Sequence, residues 1–420
     1  MRTTESMMQK RGKIFYGWWI VAAGFLINAF GVGTFFYGFS TFFNPMVAEF
    51  GMSRAMMSGV YAMSRLEGGI EGPIVGWLID RYGARRILFI GVSLTGLGFI
   101  LLSQVTGPLS LYLIFGLTLS LGFNLGYIHG TGAAVAKWFV KKRSRAVAIL
   151  ITGNGVGGAI FVPLIAWLIV QYGWRNAAII IGVATLLIPL PLGLLIRSTP
   201  EDVGMVPDGE NRNDSREALD APSSPVDDAD LSVREALRTR TFWIYAAGMM
   251  LRACILSAIV VHQIPHLTDI GIPYITASQV LGYMVLMSVP GRFIFGSLGD
   301  RFDKRMLLFL LCVLQGVGIL IFINASTMWM VYLFVIVYGT GYGGVIPLTI
   351  ALRADLFGRR NYATISGLTM TLTMVGTVSA PVVAGYLHDV TASYSLAFYS
   401  FAAMIVLSGL FFLAIPRRAA

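Results

Sequence analysis

The amino-acid sequence predicts an all-α membrane protein of twelve transmembrane helices in two pseudo-symmetric six-helix bundles. Three observations carry this. Of 420 residues, 56% are hydrophobic and only 12% charged, where soluble domains run near 25% charged. Apolar runs long enough to cross a hydrocarbon layer of about 30 Å recur along the whole chain. One short pattern also appears twice, at equivalent spans of two halves. The 48 glycines and a mean hydropathy of +0.73 fit helix backbones that approach closely in lipid.

By length and hydropathy the spans are 16–41, 54–79, 86–105, 109–137, 144–171, 175–196, 241–267, 275–299, 305–324, 328–356, 362–387 and 394–415. Lys10, Arg11 and Lys13 precede the first run as they would in a signal peptide. That run lacks a small-residue cleavage pattern and is long enough to span, so it reads as a retained helix. Residues 1–196 form the first bundle, 197–240 a cytoplasmic linker and 241–420 the second bundle. The linker centre, 208–230, is rich in Asp, Ser and Pro, a composition that predicts disorder. The segment LSVREALRTRTF after it predicts a short helix lying along the membrane surface.

Orientation follows from Lys and Arg. Basic residues cluster at the N-terminus, at Arg81, Arg85 and Arg86, at Lys141, Lys142, Arg143 and Arg145, at Arg301, Lys304 and Arg305, at Arg359 and Arg360, and at Arg417 and Arg418. The alternate connections carry little beyond Arg54 and Arg175. Both termini therefore face the cytoplasm, and the net charge of +10 is orientation information rather than a nucleic-acid surface. Cys254 and Cys312 lie inside apolar runs and imply neither a disulfide framework nor a metal site. No nucleophile–base pair, metal-ligand spacing or phosphate loop stands out, which argues against an enzyme and against a cofactor.

The repeated pattern is G-x-L-x-D-R, at Gly76, Asp80 and Arg81 ending the second span and at Gly296, Asp300 and Arg301 ending the eighth. Positive-inside flanking explains the basic residues but not the shared order. The glycine predicts close helix packing, and the Asp and Arg a breakable network closing the cytoplasmic side. This loop resembles the signature of the major facilitator superfamily, and the resemblance covers essentially the whole chain. Within that superfamily the sequence is similar to the monocarboxylate transporter family and to the bacterial oxalate:formate antiporters. Tyr16-Gly17-Trp18-Trp19 resembles the Gly/Trp motif opening the first helix, without its acidic residue. Trp138 to Ala146 resembles the motif opening the fifth, with Trp138 and Arg145 as departures, and the Arg-Ser-Thr-Pro-Glu-Asp-Val-Gly segment from Arg197 looks like bacterial members.

Ionisable side chains at membrane depth are costly and hence functional candidates. Arg292, in SVPGRFIFG, has Ser288 rather than an acid one turn earlier, and a guanidinium without a partner suits bidentate capture of a carboxylate. The alternatives are pairing with Glu67 or Glu71, or hydrogen bonding to backbone carbonyls. The resemblance implies the same role for Arg292, with Gly296 four residues on. Animal members have an Asp where Ser288 stands and a Lys in the first helix where Phe36 or Tyr37 stands, so their proton-coupling pair does not carry over. The antiporters use a second cation in the eleventh helix, and span 362–387 has none; one fixed cation in the second half argues for one carboxylate.

His262 is a candidate both for substrate contact and for carrying a proton, with His266 one turn further out. Asn124 and Tyr127, which share the fourth span with His129, are three residues apart and so expected on one helix face, lining the cavity or hydrogen-bonding between helices. Tyr37, Tyr342 and Tyr386 are aromatic candidates; Tyr342 stands in YGTGYGGVIPL, where glycines would let backbone flex. Arg65, Glu67 and Glu71 share the second span, and Arg252 in the seventh is the expected partner of a glutamate, with a proton as the alternative.

The resemblance implies alternating access by a transporter of a small monocarboxylate, lactate-like or shorter, in symport with a proton, in the bacterial inner membrane. Exchange of one organic acid for another is the alternative within this class. A carboxylate sensor is the alternative outside it, and the chain carries no output domain.

Overall fold

A computed structural model describes residues 15–139, 142–200, 204–206, 208, 231–358 and 361–416, with some side chains inside these ranges, Asp80 and His129 among them, not described. The described residues are helical and contain no strand. Twelve spanning helices follow in order: α1 (Tyr16–Phe50), α2 (Arg54–Tyr82), α3 (Ala84–Leu102), α4 (108–138), α5 (143–172), α6 (174–187), α7 (Arg240–Asp269), α8 (Tyr274–Gly299), α9 (Lys304–Ile323), α10 (Met328–Phe357), α11 (Tyr362–Thr391) and α12 (Ser395–Leu413).

Length and hydropathy alone pick out ten membrane-crossing helical stretches among the described residues. The difference has two causes. Helix α2 carries Arg65, Glu67, Glu71, Asp80 and Arg81 and so fails on charge. Helices α5 and α6 run on without a gap, broken only at Gly173, whose φ of +77° favours a residue without Cβ. The first span is longer than hydropathy predicts. It continues past Thr41 through Pro45 to Phe50, because its polar end is bound by other helices: Asn44 Nδ2 donates to Thr268 Oγ1 at 2.8 Å and Glu49 pairs with Arg175 at 2.5 Å.

In the first half, α1 packs on α5, and α3 on α4 and α6; in the second, α7 packs on α11 and α12, α8 on α10, and α9 on α10 and α12. The halves meet chiefly where α2 packs on α11 and α8 on α5. These are one and the same pairing under the repeat that relates α2 to α8 and α5 to α11. Large apolar side chains such as Trp19, Ile74, Trp77, Phe293, Val375 and Leu410 stand exposed around the outside, as lipid requires.

The centre of the expected linker, predicted to be disordered, lies outside the described residues. The predicted short helix is present at Val233–Arg238, opened by a capping box in which Ser232 and Glu235 bond reciprocally. Those hydrogen bonds hold the Glu235 carboxyl below its usual range. Leu231 ties this segment to α10 and α11: its amide donates to the Phe357 carbonyl at 3.3 Å, and its carbonyl accepts from Asn361 at 3.0 Å.

Candidate functional site

Two different environments lie between the halves, one at an end of the bundle and one at mid-depth. The end carrying the α1–α2 and α7–α8 connections is latched. The Arg54 guanidinium grips Asp269 with two bonds, at 2.7 and 2.8 Å, and donates to the Tyr394 hydroxyl at 2.8 Å. Asp389 caps α2 by accepting from the Arg54 and Ala55 amides, both at 2.9 Å, and His388 lies 3.2 Å from Asp269. Ser40 donates to the Val261 carbonyl at 3.1 Å, and Tyr274 to that of Thr41.

His262 belongs to this latch. It is fully buried, with Nδ1 2.9 Å from the Tyr394 hydroxyl and Nε2 2.8 Å from the Pro381 carbonyl and 3.2 Å from Ser58 Oγ. A neutral ring with its proton on Nε2 satisfies both nitrogens, donating to Pro381 and accepting from Tyr394. His266, one turn further out, packs inside the second half among Phe322, Tyr394 and Phe398.

At mid-depth the tyrosines of the two halves touch: the Tyr37 and Tyr342 hydroxyls are 3.1 Å apart and buried. The glycines around Tyr342 differ from expectation. Helix α10 is continuous, and Gly339 and Gly343 sit so close to the Met284 and Ser288 carbonyls that a Cβ would overlap them. They press α10 onto α8 instead of letting it flex.

Arg292 is part-buried on α8. Nη1 donates to the Ile151 carbonyl of α5 at 3.2 Å, Nη2 approaches Ser288 Oγ at 3.4 Å, and Nε is buried with no hydrogen-bond partner. Among the described residues no carboxylate pairs with it, and its charge reaches Tyr37. Counting about 1.5 Å per residue from the latched end, His262 lies at a depth of about 10 Å and Arg292 at about 27 Å. They do not share a site.

The remaining candidates disperse. Asn124 donates to Glu71 at 3.2 Å, whereas the Tyr127 ring covers Gly31 of α1 and stacks on Phe123. The reason they part is a π-helical turn over Asn124–Gly130, whose wider winding removes the three-residue face relation of an α-helix. Glu67 lies beside Gly116 and Ser120 of α4, so both glutamates turn into the first half. They do not meet Arg252, which sits among Tyr245, Cys312 and Tyr338 in the second half with its Nε unpartnered. Tyr386 is 59% exposed, as suits a lipid-facing ring, and has no described contact with Arg292.

The repeated loops also differ from expectation. A Cβ on Gly76 would meet nothing, and one on Gly296 only Pro347 at an ordinary 3.7 Å, so neither glycine serves a tight contact here. Arg81 rests over Trp77 and Tyr82, and Asp300 and Arg301 are exposed. Nearby, Lys304 pairs with Asp355 at 2.7 Å within the second half.

Sequence reading missed Tyr61, Tyr394, Ser58 and the latch pair Arg54 and Asp269. Arg54 carried a signal, as a basic residue on the side where basic residues are scarce.

The profile of the Major Facilitator Superfamily matches residues 21–323 and 263–420. The chain is 27% identical to monocarboxylate transporter 13 of Rattus norvegicus over 95% of its length and 87% of the relative's. It is 26% identical to monocarboxylate transporter 11 of Homo sapiens, over 96% and 83%. Its fold is similar to crystal structures of the nucleoside transporter NupG (TM-score 0.74, 14% identity, covering 96% of this chain and 100% of that one). It is also similar to a bacterial homologue of the human lysosomal transporter Spinster, inward-facing and unoccupied (TM-score 0.69, 17% identity, 96% of each chain). The chain thus belongs to the Major Facilitator Superfamily, is a membrane transporter rather than an enzyme, and has the monocarboxylate transporters as its sequence relatives.

Proposed function

We propose that the protein moves a small, lactate-like monocarboxylate in symport with a proton, with Arg292 as the carboxylate clamp. The observation that carries this is a guanidinium at membrane depth, between the halves, with no acidic partner among the described residues and one nitrogen unbonded. An incoming carboxylate supplies the charge and the acceptors that the Ile151 carbonyl and Ser288 supply only in part. The names of the sequence relatives support the substrate class. We place the chain in a bacterial inner membrane with both termini cytoplasmic, residues 1–196 and 241–420 being the moving bundles and 197–240 their linker. The latched end then faces outward, the conformation is inward-facing, and the halves rock about the Tyr37–Tyr342 contact. Asp80, Arg81, Asp300 and Arg301 would engage across the halves only in the opposite state.

The proton falls to Glu67 and Glu71 rather than His262, whose nitrogens are both occupied. Glu67 Oε2 is buried without a hydrogen-bond partner, a position cheaper for a carboxylic acid than for a carboxylate. Exchange of two organic anions is the second reading, favoured by the absence of any described acid beside Arg292. Uptake of radiolabelled lactate into proteoliposomes, with and without an inward proton gradient, decides. Symport predicts faster uptake as the substrate side is acidified; counterflow indifferent to the gradient would establish exchange, and no flux at all would contradict the transport of lactate-like acids. In E67Q/E71Q the acceleration by acid should vanish, and its full retention would remove the glutamates from the mechanism.

A further inference from the structure

A second cation faces the mid-depth region from the first half. Arg65 of α2 lies over the rings of Phe36, at 4.8 Å, and Tyr61, at 4.9 Å. Its one hydrogen bond among the described residues is a 3.4 Å contact from Nε to Ser64 Oγ, and no described carboxylate pairs with it. Glu67, two residues on, is turned toward α4 and cannot neutralise it. Beside it the Tyr61 hydroxyl is buried with no hydrogen-bond partner, although a buried phenol normally has one.

These groups adjoin one another: the Tyr61 and Phe36 rings under Arg65 are 6.3 Å apart, Phe36 lies 4.9 Å from the Tyr37 ring, and the Tyr37 hydroxyl meets that of Tyr342. In depth the order is the same. Measured from the latched end at about 1.5 Å per residue, Arg65 lies at about 16 Å, the tyrosine pair at about 20 Å and Arg292 at about 27 Å. Two guanidiniums therefore flank the tyrosine contact from opposite halves, each short of an anionic partner.

We propose that Arg65, with the Tyr61 hydroxyl, is the specificity-determining pole for the far end of the substrate, so that the protein prefers a carboxylate whose tail carries a second oxygen acceptor. The inference rests on Arg292 holding the carboxylate. An apolar tail placed against Arg65 would strip water from a guanidinium and from the tyrosine hydroxyl while returning no hydrogen bond; a tail oxygen repays both. Such a ligand would also tie α2 to α8, two repeat-related helices that each contact the opposite bundle, and would form its full set of bonds only when both halves enclose it.

The test compares monocarboxylic acids of equal chain length as competitors of lactate uptake in proteoliposomes: butyrate against 4-hydroxybutyrate and 4-oxobutyrate. The wild type should favour the polar-tailed acids. In R65M that preference should fall about tenfold, the loss of one charge-assisted hydrogen bond, chiefly through weaker apparent affinity. R65K should restore part of it, which mere filling of the space beside Phe36 would not. An R65M protein with an unchanged ranking overturns the proposal. Should R65M fail to insert, Y61F carries the test, with an expected loss of about threefold and the same criterion. Failure of the underlying reading looks different: no acid of either kind would compete in the wild type, or R292K would compete normally.

Discussion

His262 and Arg292 are both ionisable, both at membrane depth and both on the first two helices of the second half, yet their surroundings are opposite. His262 has every polar atom satisfied, by Tyr394, Pro381 and Ser58, in a region where both halves are bonded shut. Arg292 has one carbonyl, one distant hydroxyl and a buried nitrogen with nothing to bond. The difference teaches how to separate a latch from a site. A polar group whose partners are all protein holds the fold in a state, whereas a charged group whose partners fall short is where we propose that a ligand binds.

The sharpest way to break this comparison is at Arg292. R292K keeps the charge but loses the planar fork, and should cost about 3 kcal/mol of substrate binding, roughly a 100-fold loss in kcat/KM for uptake. Normal uptake by R292K would remove the clamp. A smaller effect is expected at the latch, where R54A removes the bonds to Asp269 and Tyr394. Because this pair is partly exposed, its contribution is about 1–2 kcal/mol, enough to shift the closed state toward the open one by roughly tenfold. With Cys254 and Cys312 buried, an S40C probe should be labelled by a membrane-impermeant thiol reagent about tenfold faster in the R54A background. Equal labelling would mean the latch does not hold the state. The smallest effect belongs to the tyrosine contact: Y342F leaves the ring and deletes one hydroxyl, and should slow uptake about fivefold, near 1 kcal/mol.

Much of the architecture was legible because lipid imposes a simple grammar of apolar length and flanking charge. The break at Gly173 fell between two predicted spans for that reason. The extension of α1 to Phe50 was not legible, since Asn44 and Glu49 read as the end of a span until their partners on α7 and at Arg175 are known. Arg54 and Arg175, the two basic residues on the sparsely charged side, were visible as exceptions to the orientation rule. Their use as inter-helix clamps depends on Asp269 and Glu49, which no local pattern links to them.

For the site, Arg292 stood out by cost alone, an argument that needs no neighbours. Its tyrosine companions did not, because choosing among Tyr37, Tyr127, Tyr342 and Tyr386 requires the rotational setting of each helix. Tyr127 and Asn124 were placed on one face by α-helical spacing, and a π-helical turn undid it. Tyr386 falls on the lipid side of α11 while Tyr342 falls inward on α10. Pairing Arg252 with a glutamate failed for a similar reason: α2 turns its acids toward α4, so the charges on the two helices never face each other.

The central claim is that Arg292, not His262, receives the substrate. Isothermal titration of lactate into detergent-purified wild type, R292Q and H262A tests it directly. Heat of binding should disappear in R292Q and persist in H262A, whose loss loosens the latched end without touching the clamp. Binding that survives in R292Q and vanishes in H262A would contradict the account.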